Sequence, residues 1–242
     1  MKQGSLMKKL MLVATAAIAL ASVSAAHAAT TLYYSGDFDA GNGNANALAN
    51  EVDGIVNSAA TYDNFTVSGA VWHVTGLFTN DLTNLNITSA NWEIRSGLSE
   101  GNGGTVVFSG SAKPNVSTTG RSGFGFTEYQ VEVPVAFDLN PGVYWLSVQP
   151  VSSDASRSFN SNTFGLNAVG VHTANNDYFN SAFFGANFTN ANNEGAFPAF
   201  SAGVLGTAGG VPEPSTWALM LLGFGAMGAS LRARRNGGLA KA

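Results

Sequence analysis

The sequence predicts an all-β protein: an antiparallel β-sandwich of jelly-roll type over residues 29–208, with an N-terminal signal peptide before it and a single C-terminal transmembrane helix after it. Three observations predict it. Apolar and polar residues alternate with period two along several short runs. Clusters of Gly, Asn and Ser punctuate those runs, and no amphipathic helix lies between them. Cysteine is absent from all 242 residues, so packing and hydrogen bonds hold a chain long enough to bury a core without disulfides.

The first element is an address. Lys8 and Lys9 precede an apolar run from Leu10 to Ala21, and Ala26-His27-Ala28 supplies small residues at the two positions a signal peptidase reads, Ala26 and Ala28. Residues 1–28 therefore read as a signal peptide cleaved after Ala28, which implies the Sec translocon and signal peptidase as partners. The run is short for a bilayer span, which takes about 20 residues.

The strands follow in order. Thr31 to Tyr34 and Asn64 to Val67 are the first candidates. In AVWHVTGLF, Trp72 and Val74 point one way and His73 and Thr75 the other. In NWEIR, Trp92 and Ile94 alternate with Asn91, Glu93 and Arg95. Thr105 to Ser109 comes next. In EYQVEVPVAF, Tyr129, Val131, Val133 and Val135 form one face and Gln130 and Glu132 the other, and Pro134 marks a sheet edge or a bulge. LNPGVYWLSVQP then supplies a Pro-Gly turn and a strand from Val143 to Val148. A last strand is expected over Ser181 to Thr189.

Charge narrows the function. Between Ala29 and Gly210 four basic residues (Arg95, Lys113, Arg121, Arg157) stand against fourteen acidic ones, a net charge of −10. That balance opposes nucleic-acid binding, which needs a basic footprint to neutralise phosphates. An anionic exopolysaccharide would have to be met through neutral hydrogen bonds or bridging Ca²⁺.

Candidate chemistry is sparse. In GDFDAGNGNANALANEVDG, Asp37 and Asp39 precede a run rich in carbonyl oxygens, which hard cations such as Ca²⁺ take. An EF-hand opening at Asp37 would need an oxygen-bearing side chain at Gly41, glycine at Asn42 and glutamate at Leu48, so a solvated loop competes with this reading. No catalytic residue is assigned and no other cofactor is implied. Beyond the signal peptide the only histidines are His73 and His172, and no nucleophile elbow, His-Glu-x-x-His or phosphate loop is present. A secreted polysaccharide hydrolase would have to draw an acid pair from residues such as Glu93, Glu128, Glu132 and Asp138. A lectin-like module is the other alternative: Tyr178, Phe179, Phe183, Phe184, Phe188, Phe197 and Phe200 are mixed with amide side chains, able to stack on sugar rings or to fill a core.

The C-terminal element is the most specific. After the Gly209-Gly210 joint comes Pro212-Glu213-Pro214, whose prolines hold the chain extended and exposed. Trp217 to Leu231 carries no charge over 15 residues, about 22 Å of helix and short for a bilayer. Arg232, Arg234 and Arg235 follow, which by the positive-inside tendency places residues 236–242 in the cytoplasm and the main domain across the membrane. Pro212, Glu213, Pro214, Trp217 and Ala218, a Gly-Phe-Gly within an apolar helix and the closing arginines together resemble the PEP-CTERM sorting signal, in its PEPxxWA form, of Gram-negative bacteria. The segments NWEIRSG, GTVVFSG and LNPGVYWLSV also resemble the outer domains of other proteins with this tail. The resemblance implies recognition of residues 209–235 by an exosortase, a membrane-embedded cysteine protease. It further implies transient membrane anchoring, delivery to the cell envelope or extracellular matrix, and association with exopolysaccharide and biofilm.

Overall fold

The computed structural model describes residues 30–38, 46–194, 199–209, 220–225, 227–228 and 232. Among these the strands are β1 (Thr30–Tyr34), β2 (Ala47–Ala49), β3 (Ala60–Val67), β4 (Trp72–Thr83), β5 (Ser89–Ser96), β6 (Thr105–Ala112) and β7 (Asn115–Gly123). They continue with β8 (Phe126–Leu139), β9 (Gly142–Val151), β10 (Ser158–Thr163), β11 (Tyr178–Ser181), β12 (Ala186–Asn190), β13 (Ala199–Phe200) and β14 (Ala202–Ala208). They form two antiparallel sheets. In the first, β1 pairs β14, β14 pairs β4, β4 pairs β8 and β8 pairs β7. Past Thr79, β10 takes the place of β14 beside β4 and also pairs β2 and β13. The second runs β12-β11-β3-β9-β5-β6.

Period two builds the core, because successive side chains on a strand face opposite sides of the sheet. Trp72 and Val74 are buried while His73 and Thr75 are exposed. An irregularity at Val74/Gly76 resets the parity of β4, so the inward face continues with Leu77. Val131, Val133 and Leu139 of β8 join it, with Val135 and Phe137 packed against them; Tyr129 is half-buried and lies outside this cluster. Phe65, Val67, Ala90, Ile94, Leu146 and Val148 face them from the second sheet. Phe65 is the centre of an aromatic stack with Tyr33 at 5.4 Å, Tyr144 at 5.9 Å and Trp72 at 6.0 Å.

Pro134 finds both of the settings its missing N–H demands. It lies opposite Gly76 at the irregularity, and pairing of β8 with β7 has already ended at Asn115 and Glu132. The Pro-Gly turn joins β8 to β9 as expected.

The expected single strand over Ser181 to Thr189 is instead a hairpin: β11 ends at Ser181, a turn spans 182–185, and β12 begins at Ala186. Gly185 turns the chain with a φ of 74°, which a side chain rarely tolerates. Strands β7, β10 and β14 carry no apolar alternation in sequence: NVSTTGRSG is mostly exposed, SFNSNT buries polar groups, and AGVLGTA packs small residues.

Among the described residues no helix is long and apolar enough to cross a membrane. Residues 220–225, 227–228 and 232 are helical, Arg232 among them. Ala26, Ala28, Asp39, Phe197, Pro212, Glu213, Pro214, Trp217, Ala218, Arg234 and Arg235 lie outside the described residues.

Candidate functional site

A polar groove of about 470 Å³ crosses the outer face of the second sheet. Its walls follow from strand parity. Phe65 and Val67 face inward, so Tyr62 faces out from β3; Leu146 and Val148 face inward, so Ser147 and Gln149 face out from β9. Asn91, Glu93 and Arg95 join them from β5, and Ser109 and Ser111 from the edge strand β6.

One wall is braced. The Arg95 guanidinium sits 5.6 Å from the Tyr62 ring and 5.2 Å from the Phe188 ring, while Arg95 Nε donates to Glu93 Oε2 at 2.6 Å and Nη1 to the Gly103 carbonyl at 2.8 Å. The Tyr62 hydroxyl donates to the same Glu93 oxygen at 3.1 Å, and burial, then the Glu93 charge, push its phenol well up, so it stays a donor. The result is a rigid aromatic and cationic wall beside hydroxyls and amides. Such a surface suits a neutral polyhydroxylated ligand. Among the described residues Glu93 is the only carboxylate lining it, and it is already paired with Arg95, so these residues do not supply the two carboxylates of a glycosidase.

The other acids considered from sequence are placed elsewhere. Glu128 and Glu132 share the opposite sheet's outer face but are four residues apart on one strand, about 13 Å, beyond the usual spacing of such a pair. Asp138 is the cross-strand partner of His73, at 2.7 Å from its Nδ1, in an exposed pair.

Asp37 lies on the first sheet's outer face beside a second groove of about 320 Å³. Its carboxylate accepts from the Tyr34 hydroxyl at 2.6 Å, Arg121 Nη1 at 2.8 Å and Asn167 Nδ2 at 2.7 Å. Against the upward push of burial, the hydrogen bonds of Tyr34 and Asn167 and the Arg121 charge hold it below the usual carboxylate range. Arg121 also binds the fully buried Glu128, which accepts from Thr119 and Ser161 as well.

A third arrangement joins Asp63 of β3 to His172 and Asp177, with ligand atoms all within 4.8 Å of one another. His172 Nε2 lies 3.0 Å from Asp177 Oδ2 and 3.6 Å from Asp63 Oδ1. The Tyr33 hydroxyl donates to Asp63 Oδ2 at 2.6 Å, and the Asn64 backbone N–H and Nδ2 donate to Asp177 Oδ1 at 2.9 and 2.8 Å. One imidazole and two carboxylates form a donor set a metal could use. Here the protein satisfies it. Burial alone would lower the His172 pKa, but the Asp177 hydrogen bond and the two carboxylate charges raise it to about 9, so the imidazolium serves as the countercharge. Asp63, buried beside Asp177, is pushed up.

With the geometry in view, the chain can be set beside known proteins. A family model described as the PEP-CTERM protein-sorting motif matches residues 210–235. The chain carries a PEP-CTERM sorting motif. No curated protein and no solved structure matches the chain. The motif is C-terminal and follows directly on β14, the last strand of the sandwich. It implies export and processing by an exosortase, a membrane protein, for delivery to the cell surface.

Sequence reasoning identified the PEP-CTERM segment but missed the groove and the His172 cluster. A signal for the second was present: Asp63 shares the inward parity of Phe65 and Val67, where an unpartnered carboxylate would be costly. The groove had none, because serines and asparagines on an outer face look like any solvated strand.

Proposed function

We propose that the chain is an exported envelope or extracellular-matrix protein with a non-catalytic β-sandwich, associated with exopolysaccharide or biofilm and sorted by an exosortase-like protease. The match of the PEP-CTERM motif over residues 210–235 carries this reading. Export begins at the signal peptide, removed after Ala28, and the C-terminal helix tethers the domain until the protease cuts near Pro212-Glu213-Pro214. The sandwich is a jelly roll, a reading supported by the order β1-β14-β4-β8 in one sheet and β3-β9-β5-β6 in the other. Intact-mass spectrometry of protein recovered from envelope and medium tests the sorting step. The native chain is expected to begin at Ala29 and end near Pro214, and a variant with Pro212, Glu213 and Pro214 changed to alanine to keep its tail through Arg235. Retention of the tail by both would overturn the reading.

The braced groove favours a second reading of what the domain does: lectin-like binding of a neutral glycan along the second sheet. Ser111→Trp, which plugs the groove from its edge strand, is expected to weaken saturable binding on a glycan array at least tenfold, a loss of about 1.4 kcal/mol. Phe183→Ser and Phe184→Ser, on exposed rings at the β11–β12 turn, are expected to leave it unchanged. The reverse pattern would move the site to that turn.

A further inference from the structure

The space between the sheets is apolar at one end and polar at the other. Beyond Leu77 the inward face of β4 continues with Thr79, Asp81 and Thr83, all buried. Strand β10 adds Ser158, Asn160 and Asn162, and Asn50 follows β2. Antiparallel register places Asn160 directly opposite Asp81, where inward side chains start about 5 Å apart.

The hydrogen bonds at this end leave oxygens over. Asn50 Nδ2 donates to Asp81 Oδ1 at 3.0 Å and to the Val148 carbonyl at 2.8 Å, and Asn160 Nδ2 donates to Thr61 Oγ1 at 2.9 Å. Asn50 thus serves one oxygen of Asp81, and Asn160 spends its N–H elsewhere. Among the described residues, Asp81 Oδ2, Asn50 Oδ1 and Asn160 Oδ1 are buried with no hydrogen-bond partner, and the buried Thr79 hydroxyl interacts with Asp81 alone.

Charge separates Asp81 from the other buried acids. Glu51 has Arg157, Glu128 has Arg121, and Asp63 and Asp177 share His172. None of the ion pairs among the described residues involves Asp81, which is 0% exposed. A buried carboxylate without a countercharge is strongly unfavourable, and the Asn50 amide serves only one of the two Asp81 oxygens. An oxygen-seeking cation resolves both deficits together, since it supplies the charge and uses the idle lone pairs.

We propose that the polar end of the sandwich interior binds a hard cation of the Ca²⁺ or Na⁺ class, with Asp81, Asn50, Asn160 and Thr79 as its oxygen donors. The site ties β4, β10 and the segment after β2 together across the interior. This site differs from the one expected at Asp37 and Asp39, and its carboxylate, unlike Asp37, is paired with no arginine among the described residues. Modules working outside the cell use Ca²⁺ at about 10⁻⁴–10⁻³ M.

The test uses the full chain, stripped with EDTA and exchanged into choline chloride. Its melting temperature is followed with CaCl₂ and, separately, with NaCl, and Tb³⁺ luminescence is read on the same sample. One of the two salts is expected to raise the melting temperature by about 5 °C at saturation. Asp81→Asn is expected to fold and lose that response, while Asp37→Asn keeps it. Should Asp81→Asn not fold, Asn160→Asp, which adds a carboxylate to the site, is expected to shift the response to lower cation concentration. No response of the wild-type chain to either salt, with Tb³⁺ dark, would overturn the proposal and leave Asp81 as a neutral carboxyl bridged by water. A response lost in Asp37→Asn but kept in Asp81→Asn would overturn it too, by placing the ion on the outer face.

Discussion

Replacing Arg157 with alanine is expected to lower the unfolding free energy by about 3 kcal/mol at pH 8, and by clearly less at pH 5.5. Its Nε and Nη2 both lie 2.7 Å from Oε1 of Glu51, whose side chain is fully buried, and the Ser158 backbone N–H holds the other oxygen. Removing the guanidinium strands a charge where water does not reach. The pH dependence follows from the carboxyl itself. Burial raises Glu51 to about 7 even with Arg157 beside it, so the raised group favours the folded state below its ordinary value of 4.5 and loses that contribution as pH rises through about 7. In mild acid the carboxyl is already neutral and the arginine matters less. Urea unfolding at the two pH values measures the difference, and the double variant Glu51→Gln/Arg157→Ala is expected to recover the pH-dependent part. A loss of equal size at both pH values would assign it instead to packing, since the guanidinium also covers the Phe159 ring at 4.7 Å.

His172→Ala is expected to have an effect of similar size with a different pH window. The imidazolium, largely buried between Asp63 and Asp177, has its pKa raised from 6.5 to about 9. A raised histidine contributes stability that is fully present below about 6.5 and lost as pH climbs through about 9. The shift corresponds to about 3 kcal/mol. The wild-type chain should therefore lose stability steadily between pH 6.5 and 9.5, and His172→Ala should be less stable at pH 6 yet nearly flat above about pH 8, keeping only the Glu51 loss near pH 7. The depressed Asp37 acts in the opposite sense, contributing stability that disappears only in acid, well outside this window. A wild-type profile that stays flat from pH 6.5 to 9.5 would remove the imidazolium from the account.

Much of the sandwich was readable from single strands, because alternation is a local property. Trp72 with Val74, and Val131 with Val133, announced their inward face from spacing alone, and Pro134 announced an edge or bulge from its missing donor. The parity reset at Val74/Gly76 was not readable, since it depends on how β14 pairs across from β4. Nor was the hairpin at 182–185, where a single turn divides what looked like one run.

By itself the sequence determined the C-terminal sorting motif and the kind of domain before it. The PEP-CTERM motif and the period-two strands are contiguous patterns, and contiguous patterns survive without a fold. Only the tertiary structure decided what the buried polar residues do. Asp63 meets a histidine more than a hundred positions away, Glu51 meets Arg157 across a similar distance, and Asp81 meets Asn160 but no basic side chain among the described residues. Those outcomes rest on register between distant strands, where a shift of one residue would turn each of these side chains to the opposite face.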